Sequence, residues 1–411
     1  MNRINLIKNQ LKSLNNKIVA SSLDYFHFDD FLTEDEKKYK LKLKNYLSAN
    51  ITPKMHEYTE KSEFPLDLVK LLIKDFPGIL GLFLKGYGSL ECSYYLSCAI
   101  LLEIAQCDLS LATFFIVNGG MLLMKTINDL GSEDQKKKYL PLMNECHLIA
   151  GFCLTEPDYG SDASNITTTA EELEDGSFKI NGHKRWIGNA KYSQIFIVWA
   201  KNSKSRNIEG YIIESNLPGV TIHEIEGKLS LKAVSNADVL FENVKIPKEN
   251  LLEKTKVIKN SANQMLYTSR VAVAWITTGA CIAAYDRVID YANKRIQFGK
   301  SISSFQLVQQ KLSIIMGDIQ AMLYFCKRAA DLYIKGQLSM GQASLVKAWT
   351  TAKGRDTLRL AREIMGGNGV LTSNWVMRAL VDIESLFTYE GTYDINMLLC
   401  AKELTGISSF K

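Results

Sequence analysis

From Thr33 to about Glu145 apolar residues recur at spacings of three and four, in EDEKKYKLKLKNYL, LDLVKLLIKDF, CSYYLSCAILLEIAQC and ATFFIVNGGMLLMKTI. That period places them on one face of successive helices. Between about residues 147 and 257 the pattern changes to short runs, SFKINGHKRWI, QIFIVWAKN, EGYIIES and VLFENVKIP, punctuated by Gly, Asn, Asp and Pro. These read as the strands of a β domain. Long helical patterns return in ANQMLYTSRVAVAWITTGACIAAYDRVIDYANKRI, SFQLVQQKLSIIMGDIQAMLYFCKRAADLYIKG, GQASLVKAWTTAKGRDTLRLAREIM and a last helix after Thr392. Helices of that length suit a bundle. The expected class is α+β: an N-terminal α domain over 25–148, a middle β domain over 149–258 and a C-terminal α domain over 259–411. No solenoid repeat or low-complexity linker separates the three, so they are expected to pack as one unit.

The 411 residues are 46% apolar, enough to fill a sizeable core. The 49 basic and 44 acidic residues are scattered, so no basic stripe points to nucleic acid, and the mild excess suits a small anionic ligand. The eight cysteines form no CxxC pair and read as buried, reduced thiols of an intracellular protein. The five histidines make neither HExxH nor a Cys/His cluster, so no metal is expected. The apolar run VAVAWITTGACIAAY, 271–285, is too short to span a bilayer and reads as a buried helix.

Candidate chemistry lies in a few turns. In GFCLTEPDYGSD, 151–162, Thr155 and Ser161 offer donors to a phosphate or a polar ring edge, although Pro157, Asp158 and Gly160 equally make a plain loop. KRWIGN places Trp186 at a strand end, as core or as a platform for a ring. RIQFGKSISSFQLVQQKL sets Arg295 ahead of a Phe298-Gly299 turn, with Ser304 as a helix N-cap. GGNGV, 366–370, is a helix end with Gly366 or Gly367 left-handed. No GxGxxG follows a strand, so a Rossmann unit is not supported. In LFTYEGTYDINMLL, Thr392 can cap the last helix and Gly391 can relieve the turn before it. Glu390 is then either an ordinary exposed carboxylate or one desolvated by Tyr389 and its neighbours, raised in pKa and fit for proton abstraction. Composition leaves both readings open.

Taken together and in this order, LTEPDYGSD, WIGN, RIQFG, GGNG and TYEGTYDIN resemble the acyl-CoA dehydrogenase and acyl-CoA oxidase superfamily over nearly the whole chain. DYFHFDDFLT, FLKGYG, NGHKRWIGN, SFQLVQQKL and FTYEGTYDIN look most like the plant-type peroxisomal short-chain acyl-CoA oxidases, with glutaryl-CoA dehydrogenases next. The resemblance implies an N-terminal helical domain, a middle β-barrel-like domain and a C-terminal four-helix bundle, assembled as a homodimer or homotetramer with one FAD per subunit. Glu390 takes the position of the catalytic base, and its backbone N–H, with a ribityl hydroxyl of FAD, that of the thioester-oxygen donors. Leu154, Thr155 and Ser161 are implied to lie along the flavin, Ser161 also near substrate, with Trp186 and Gly188 close to the ring. Arg295, Phe298, Gly366 and Gly367 match contacts to the FAD of a neighbouring subunit, and Thr392 and Asp394 a further cofactor contact. Arg270, Tyr389 and Gly391 match positions on the substrate side.

Three departures refine this expectation. Ala112, in CDLSLATFF, aligns with an arginine that grips the distal carboxylate in glutaryl-CoA dehydrogenases, so a neutral acyl chain is expected, with bulky Phe114 and Phe115 limiting its length. Gly188 replaces the Thr or Ser of most dehydrogenases, as in the plant-type oxidases, leaving room for oxygen at a reduced flavin. Residues 1–24 read as a targeting segment, in which RINLIKNQL, Arg3 to Leu11, fits an N-terminal peroxisomal signal; the absence of acids over 1–23 makes a mitochondrial matrix presequence the alternative. The expectation is an FAD-dependent acyl-CoA oxidase of fatty acid β-oxidation, acting on short or medium chains and passing electrons to O2. Its alternatives are a dehydrogenase serving electron-transfer flavoprotein and a non-catalytic acyl-CoA-binding member of the family.

Overall fold

The computed structural model describes residues 24–258 and 261–409, so the candidate import signal at Arg3 to Leu11 lies outside the described residues. The N-terminal helices are α1 (Glu34–Tyr46), α2 (Met55–Lys61), α3 (Leu66–Asp75), α4 (Tyr94–Cys107), α5 (Leu109–Asn118), α6 (Leu123–Leu130) and α7 (Glu133–Asn144). Helix α1 opens on a capping box, Thr33 Oγ1 accepting from Glu36 N–H while the Glu36 carboxylate accepts from Thr33 N–H. The run ATFFIVNGGMLLMKTI is two helices rather than one. A Cβ on Gly120 would sit 1.8 Å from the Leu82 carbonyl oxygen, so only glycine lets the chain pass there, and the helix stops. At the other end of α5, Asp108 separates it from α4 and is its N-cap, the carboxylate accepting from Ser110 N–H at 2.8 Å.

The middle of the chain forms a mixed seven-stranded sheet from β1 (Ala150–Cys153), β2 (Thr169–Glu172), β3 (Phe178–Gly188), β4 (Ile195–Asn202), β5 (Ile208–Glu214), β6 (Val220–Glu224) and β7 (Asn236–Ile246). Strand β4 runs parallel to β1 and β2 and antiparallel to β5, while β3, β7 and β6 follow in antiparallel succession. Both faces of β4 are buried, and the period of two sorts its residues. Ile195, Ile197 and Trp199 join the helical core; Phe196, Val198 and Ala200 join a second core with Phe178, Tyr211 and Phe241.

The C-terminal part comprises α8 (Ser261–Lys294), a small hairpin of β8 (Ile296–Gln297) and β9 (Lys300–Ser301), then α9 (Gln306–Ile334), α10 (Met340–Ile364), α11 (Trp375–Thr388) and α12 (Tyr393–Thr405). Helix α8 is buried along most of its length and packs on α4 as well as on α9 and α10, which joins the two helical parts. The sequence reading leaves α11 unmarked, because glycine-rich turns stand on both sides of it. Yet Asn374 caps it, and Val376, Ala379, Ile383 and Leu386 form its buried stripe. Ser304 does not cap α9: Phe305 occupies that position, and Ser304 Oγ donates instead to Ser301 O at 2.7 Å. All eight cysteines are free thiols, seven of them buried.

Candidate active site

Helix α11 ends at Thr388 and α12 begins at Tyr393, so four residues must reverse the chain. Glu390 (φ 56°) and Gly391 (φ 82°) do so in the left-handed region. The conformation strains a glutamate, by about 1–3 kcal/mol, so it persists only where neighbours impose it. Here they do so through the backbone carbonyls. Arg270 Nε donates to Glu390 O at 3.2 Å, and Asn396 Nδ2 donates to Glu390 O, Gly391 O and Thr392 O at 3.3, 2.7 and 3.0 Å. Lys347 Nζ donates to Phe387 O at 3.1 Å and Gly391 O at 2.8 Å. Thr392 caps α12, its hydroxyl accepting from Ile395 N–H at 3.2 Å, and Asp394 is exposed in the first turn of that helix.

The Glu390 side chain accepts from Ser269 Oγ at 2.7 Å. The residue keeps part of its surface open, yet burial of the carboxyl dominates and pushes its pKa above the ordinary glutamate value, against Ser269, Arg270 and Lys347, which all favour the anion. Burial also lowers the pKa of Arg270, whose guanidinium remains a cation and reaches Met340 Sδ at 2.7 Å. Tyr389, on the other flank, shares a hydrogen bond of 3.2 Å with Thr113 Oγ1, so the turn is tied to α5 as well. Ala112 beside it is fully buried, as are Phe114 and Phe115, and Phe114 packs on Phe64 with ring centroids 4.7 Å apart. These two rings serve the core around α5.

The loop after β1 is built on a buried ion pair. Glu156 accepts from the backbone N–H and hydroxyl of both Thr167 and Thr168 and meets Lys184 Nζ at 2.9 Å, while Lys184 also donates to Leu154 O. Burial opposes the charge of Glu156, but Lys184 and the threonine donors outweigh it and hold the carboxyl at about 2. This fixes Leu154, which is buried, and Thr155, whose carbonyl accepts from Arg185 N–H at 2.8 Å; Ser161 stands exposed beyond. Strand β3 bulges between Lys184 and Ile187, where Trp186 takes φ 63° and is 51% exposed. Trp186 is therefore a surface ring, not a core one. Gly188 follows, and a Cβ there would meet only Asn236 Nδ2, at 3.9 Å.

A separate surface joins the remaining candidates. Arg295 is exposed at the start of the β8–β9 hairpin, and Phe298 at its tip has φ 50° and is 94% exposed. Tyr291 links this hairpin to the GGNG turn: its carbonyl accepts from Arg295 N–H at 2.8 Å and its hydroxyl from Asn368 Nδ2 at 3.1 Å. Gly366 (φ 58°) and Gly367 face open space. A cleft of about 570 Å³ between Arg355, Arg359, Glu384, Phe387 and Tyr393 crosses α10, α11 and α12, and contains none of Ser269, Arg270 or Glu390.

The geometry includes residues that the sequence reading passed over: Ser269, Lys347, Asn396, Thr113 and the Glu156–Lys184 pair. Lys347 had a legible signal, since it lies on the buried stripe of α10 with Ala343, Ser344, Thr351 and Gly354 at spacings of three, four and seven. Nothing in the sequence pairs Ser269 with a carboxylate 121 positions away.

Comparison with known proteins gives this arrangement its context. The N-terminal, middle and C-terminal domain models of acyl-CoA dehydrogenase match residues 33–146, 151–244 and 260–405. The chain belongs to the acyl-CoA dehydrogenase family. It is 29% identical over 382 residues to an acyl-CoA dehydrogenase of Bacillus subtilis (strain 168), covering 91% of this chain and 99% of that one. A glutaryl-CoA dehydrogenase from Mycobacterium smegmatis, solved in complex with FADH2, superimposes with a TM-score of 0.90 at 27% identity, over 95% of this chain and 100% of its own. Butyryl-CoA dehydrogenase from Megasphaera elsdenii gives 0.85 at 27%, over 91% and 98%. Members of this family are flavin oxidoreductases that act on CH–CH bonds, and the three-part fold of the present chain is theirs.

Proposed function

We propose that the protein is an FAD-dependent enzyme that removes the α-proton and β-hydrogen of a short or medium, uncharged acyl-CoA to leave the trans-2-enoyl-CoA. The observation that carries this is the Glu390 turn: a carboxylate kept desolvated by burial, fixed by Ser269 and framed by two cations, Arg270 and Lys347. A thioester α-proton is far less acidic than a carboxylic acid, so a base of ordinary pKa is poorly matched to it. Desolvation makes Glu390 a stronger base, and Arg270 and Lys347 keep it ionised. The backbone N–H of Glu390, turned by the left-handed conformation, is the thioester-oxygen donor in this reading, where negative charge develops as the proton leaves.

The residues present fit FAD. Trp186 offers an exposed ring beside a position without a side chain, and Gly160, Gly366 and Gly367 leave open space where a cofactor must approach backbone. Leu154, Thr155, Ser161, Trp186, Thr392 and Asp394 would hold the flavin of the same subunit, and Arg295, Phe298, Gly366 and Gly367 that of a second subunit in a homodimer or homotetramer. When bound, FAD accepts the β-hydrogen with its electron pair. Substrate lies against Tyr389, Glu390, Gly391 and Arg270 in this reading. Helix α5, Leu109–Asn118, carries no basic side chain, which favours an uncharged acyl end over a dicarboxylate.

For the electron acceptor we propose O2, in the peroxisome, on the strength of Gly188 and the Arg3 to Leu11 pattern. Gly188 has no positive φ and no close neighbour at its Cβ position, so the fold does not require glycine there. Relatives named as dehydrogenases, one of them mitochondrial, favour the second reading, in which a mitochondrial or bacterial dehydrogenase passes electrons to electron-transfer flavoprotein. One experiment separates them. The purified flavoprotein is reduced anaerobically with butyryl- or octanoyl-CoA and then exposed to air. Bleaching followed by rapid reoxidation with stoichiometric hydrogen peroxide is expected; a flavin that stays reduced until electron-transfer flavoprotein is added makes it a dehydrogenase. Absence of bleaching returns it to a non-catalytic binding role. Glu390→Gln keeps an acceptor for Ser269 but loses the base, and bleaching should slow by about 10²–10⁴-fold.

A further inference from the structure

Lys347 is fully buried, and its ammonium makes no ion pair among the described residues. Its two acceptors bracket the candidate base: Phe387 O is one of the carbonyls left without a partner at the C-terminus of α11, and Gly391 O lies just ahead of α12. A buried cation without a carboxylate contact is costly to fold around, so its placement calls for a compensating interaction. The α11 terminus supplies part of it, since the negative end of a helix favours a cation. Glu390 supplies the rest, its anion being the charge that most favours the ammonium, while Arg270 opposes it.

We propose that Lys347 is a positioning residue for proton abstraction: it clamps the Tyr389–Gly391 turn through two carbonyls and provides a buried positive charge against which Glu390 is ionised before the α-proton arrives. The proposal rests on the reading of Glu390 as the base. The groups facing the pair are few. Helix α8 contributes Ser269 and Arg270, α10 contributes Ser344, the end of α11 contributes Tyr389, and α12 contributes Asn396. Among these only Arg270 and Tyr389 carry ionisable groups. Glu403 of α12 is engaged elsewhere, accepting from Ser339 and Gly341 at the start of α10. Burial draws the Lys347 ammonium down to about 7, so its charge and that of Glu390 are coupled within the working range.

The sign of the effect follows from charge. Removing the cation favours the protonated, inactive form of Glu390, so the acidic limb of the pH profile moves to higher pH. The test uses full-length flavoprotein with butyryl-CoA, following anaerobic flavin reduction against pH, together with amide hydrogen exchange over 387–396. In Lys347→Met the limb should rise by about one pH unit or more, with little loss on the alkaline side of the new limb, and the turn amides should exchange faster. Lys347→Arg should restore the limb, because it restores the charge. Asn396→Ala, which loosens the same turn through Gly391 O and the carbonyls beside it without changing charge, should speed exchange and leave the limb in place. If Lys347→Met does not accumulate folded, Lys347→Gln carries the same prediction with a donor retained. A limb unmoved in the folded neutral variants overturns the proposal while wild-type bleaching stands; a wild type that fails to bleach overturns the reading of Glu390 instead.

Discussion

Single side chains divide here into those that do chemistry and those that hold the chemistry still, and Glu156 shows how the second kind hides in a motif of the first. It stands inside LTEPDYGSD, between Thr155 and Ser161, yet its carboxylate is spent on Thr167, Thr168 and Lys184. Because both partners are buried, removing one leaves a charge without compensation. Lys184→Met should therefore destabilise the protein by about 3–5 kcal/mol in denaturant unfolding and weaken retention of flavin on dilution. The pH dependence has a definite sign. The folded carboxyl titrates at about 2, below its ordinary value of 4.5, so its contribution is present above pH 4.5 and is lost as pH falls toward 2. Gly188 is the complementary case, a residue whose meaning lies in what it lacks. Its Cβ position is open, so Gly188→Ser should fold with unchanged thermal midpoint. Under the oxidase reading it should also slow reoxidation by air while leaving substrate reduction intact. Reoxidation at the wild-type rate would remove oxygen access as the role of this glycine.

At the level of elements, the helices and strands were legible where one face is buried and the period is long, as in α9 and α10, or where a long apolar run is buried all round, as in α8. They were less so where packing rather than pattern sets the ends. The break between α5 and α6 depends on Gly120 passing the Leu82 carbonyl, a contact that no local periodicity reports. Helix α11 carries its stripe plainly but lies between two glycine turns that look like one loop. Of the candidate site, the residues alone left Glu390 open between an exposed and a desolvated carboxylate, and its role as base, like the place of Arg270, came only from the resemblance; Ser269, Arg270, Lys347 and Asn396 converge on one turn only in three dimensions. The β8–β9 hairpin illustrates the opposite, an element visible in sequence that the single chain leaves uncovered. Phe298 at φ 50° exposes nearly its whole ring at the hairpin tip. Under the proposed homo-oligomer, Phe298→Asp should lower the assembly state in sedimentation and loosen flavin binding, whereas an unchanged sedimentation coefficient would exclude the hairpin from a subunit contact.

Across the whole molecule the three parts meet at a buried polar junction that no single element explains. Asp108 from the N-terminal helices, Ser230 and Leu231 from the β part, and Asp382 from α11 come together there. Asp382 accepts from Leu231 N–H at 2.6 Å, Ser230 Oγ lies 2.6 Å from Ser385 Oγ, and Trp375 Nε1 donates to Cys107 O at 2.8 Å. Lys228 stiffens the same β segment by donating to Leu231 O and Asn236 Oδ1 at 3.1 and 2.6 Å. Burial first, and the nearby charge of Asp108 second, raise the Asp382 carboxyl to about 7, against Arg378 and Lys228. An acid whose folded pKa lies above its ordinary 3.8 binds its proton more tightly in the native state. Stability from this group is therefore full at low pH, declines as pH rises from about 4 to about 7, and is absent above that window. Asp382→Asn keeps an oxygen to accept from Leu231 but removes the titrating charge. The thermal midpoint of the variant should exceed that of wild type at pH 8, and the difference should shrink toward pH 5. A constant difference across that range would mean that the junction is held by shape and hydrogen bonding alone.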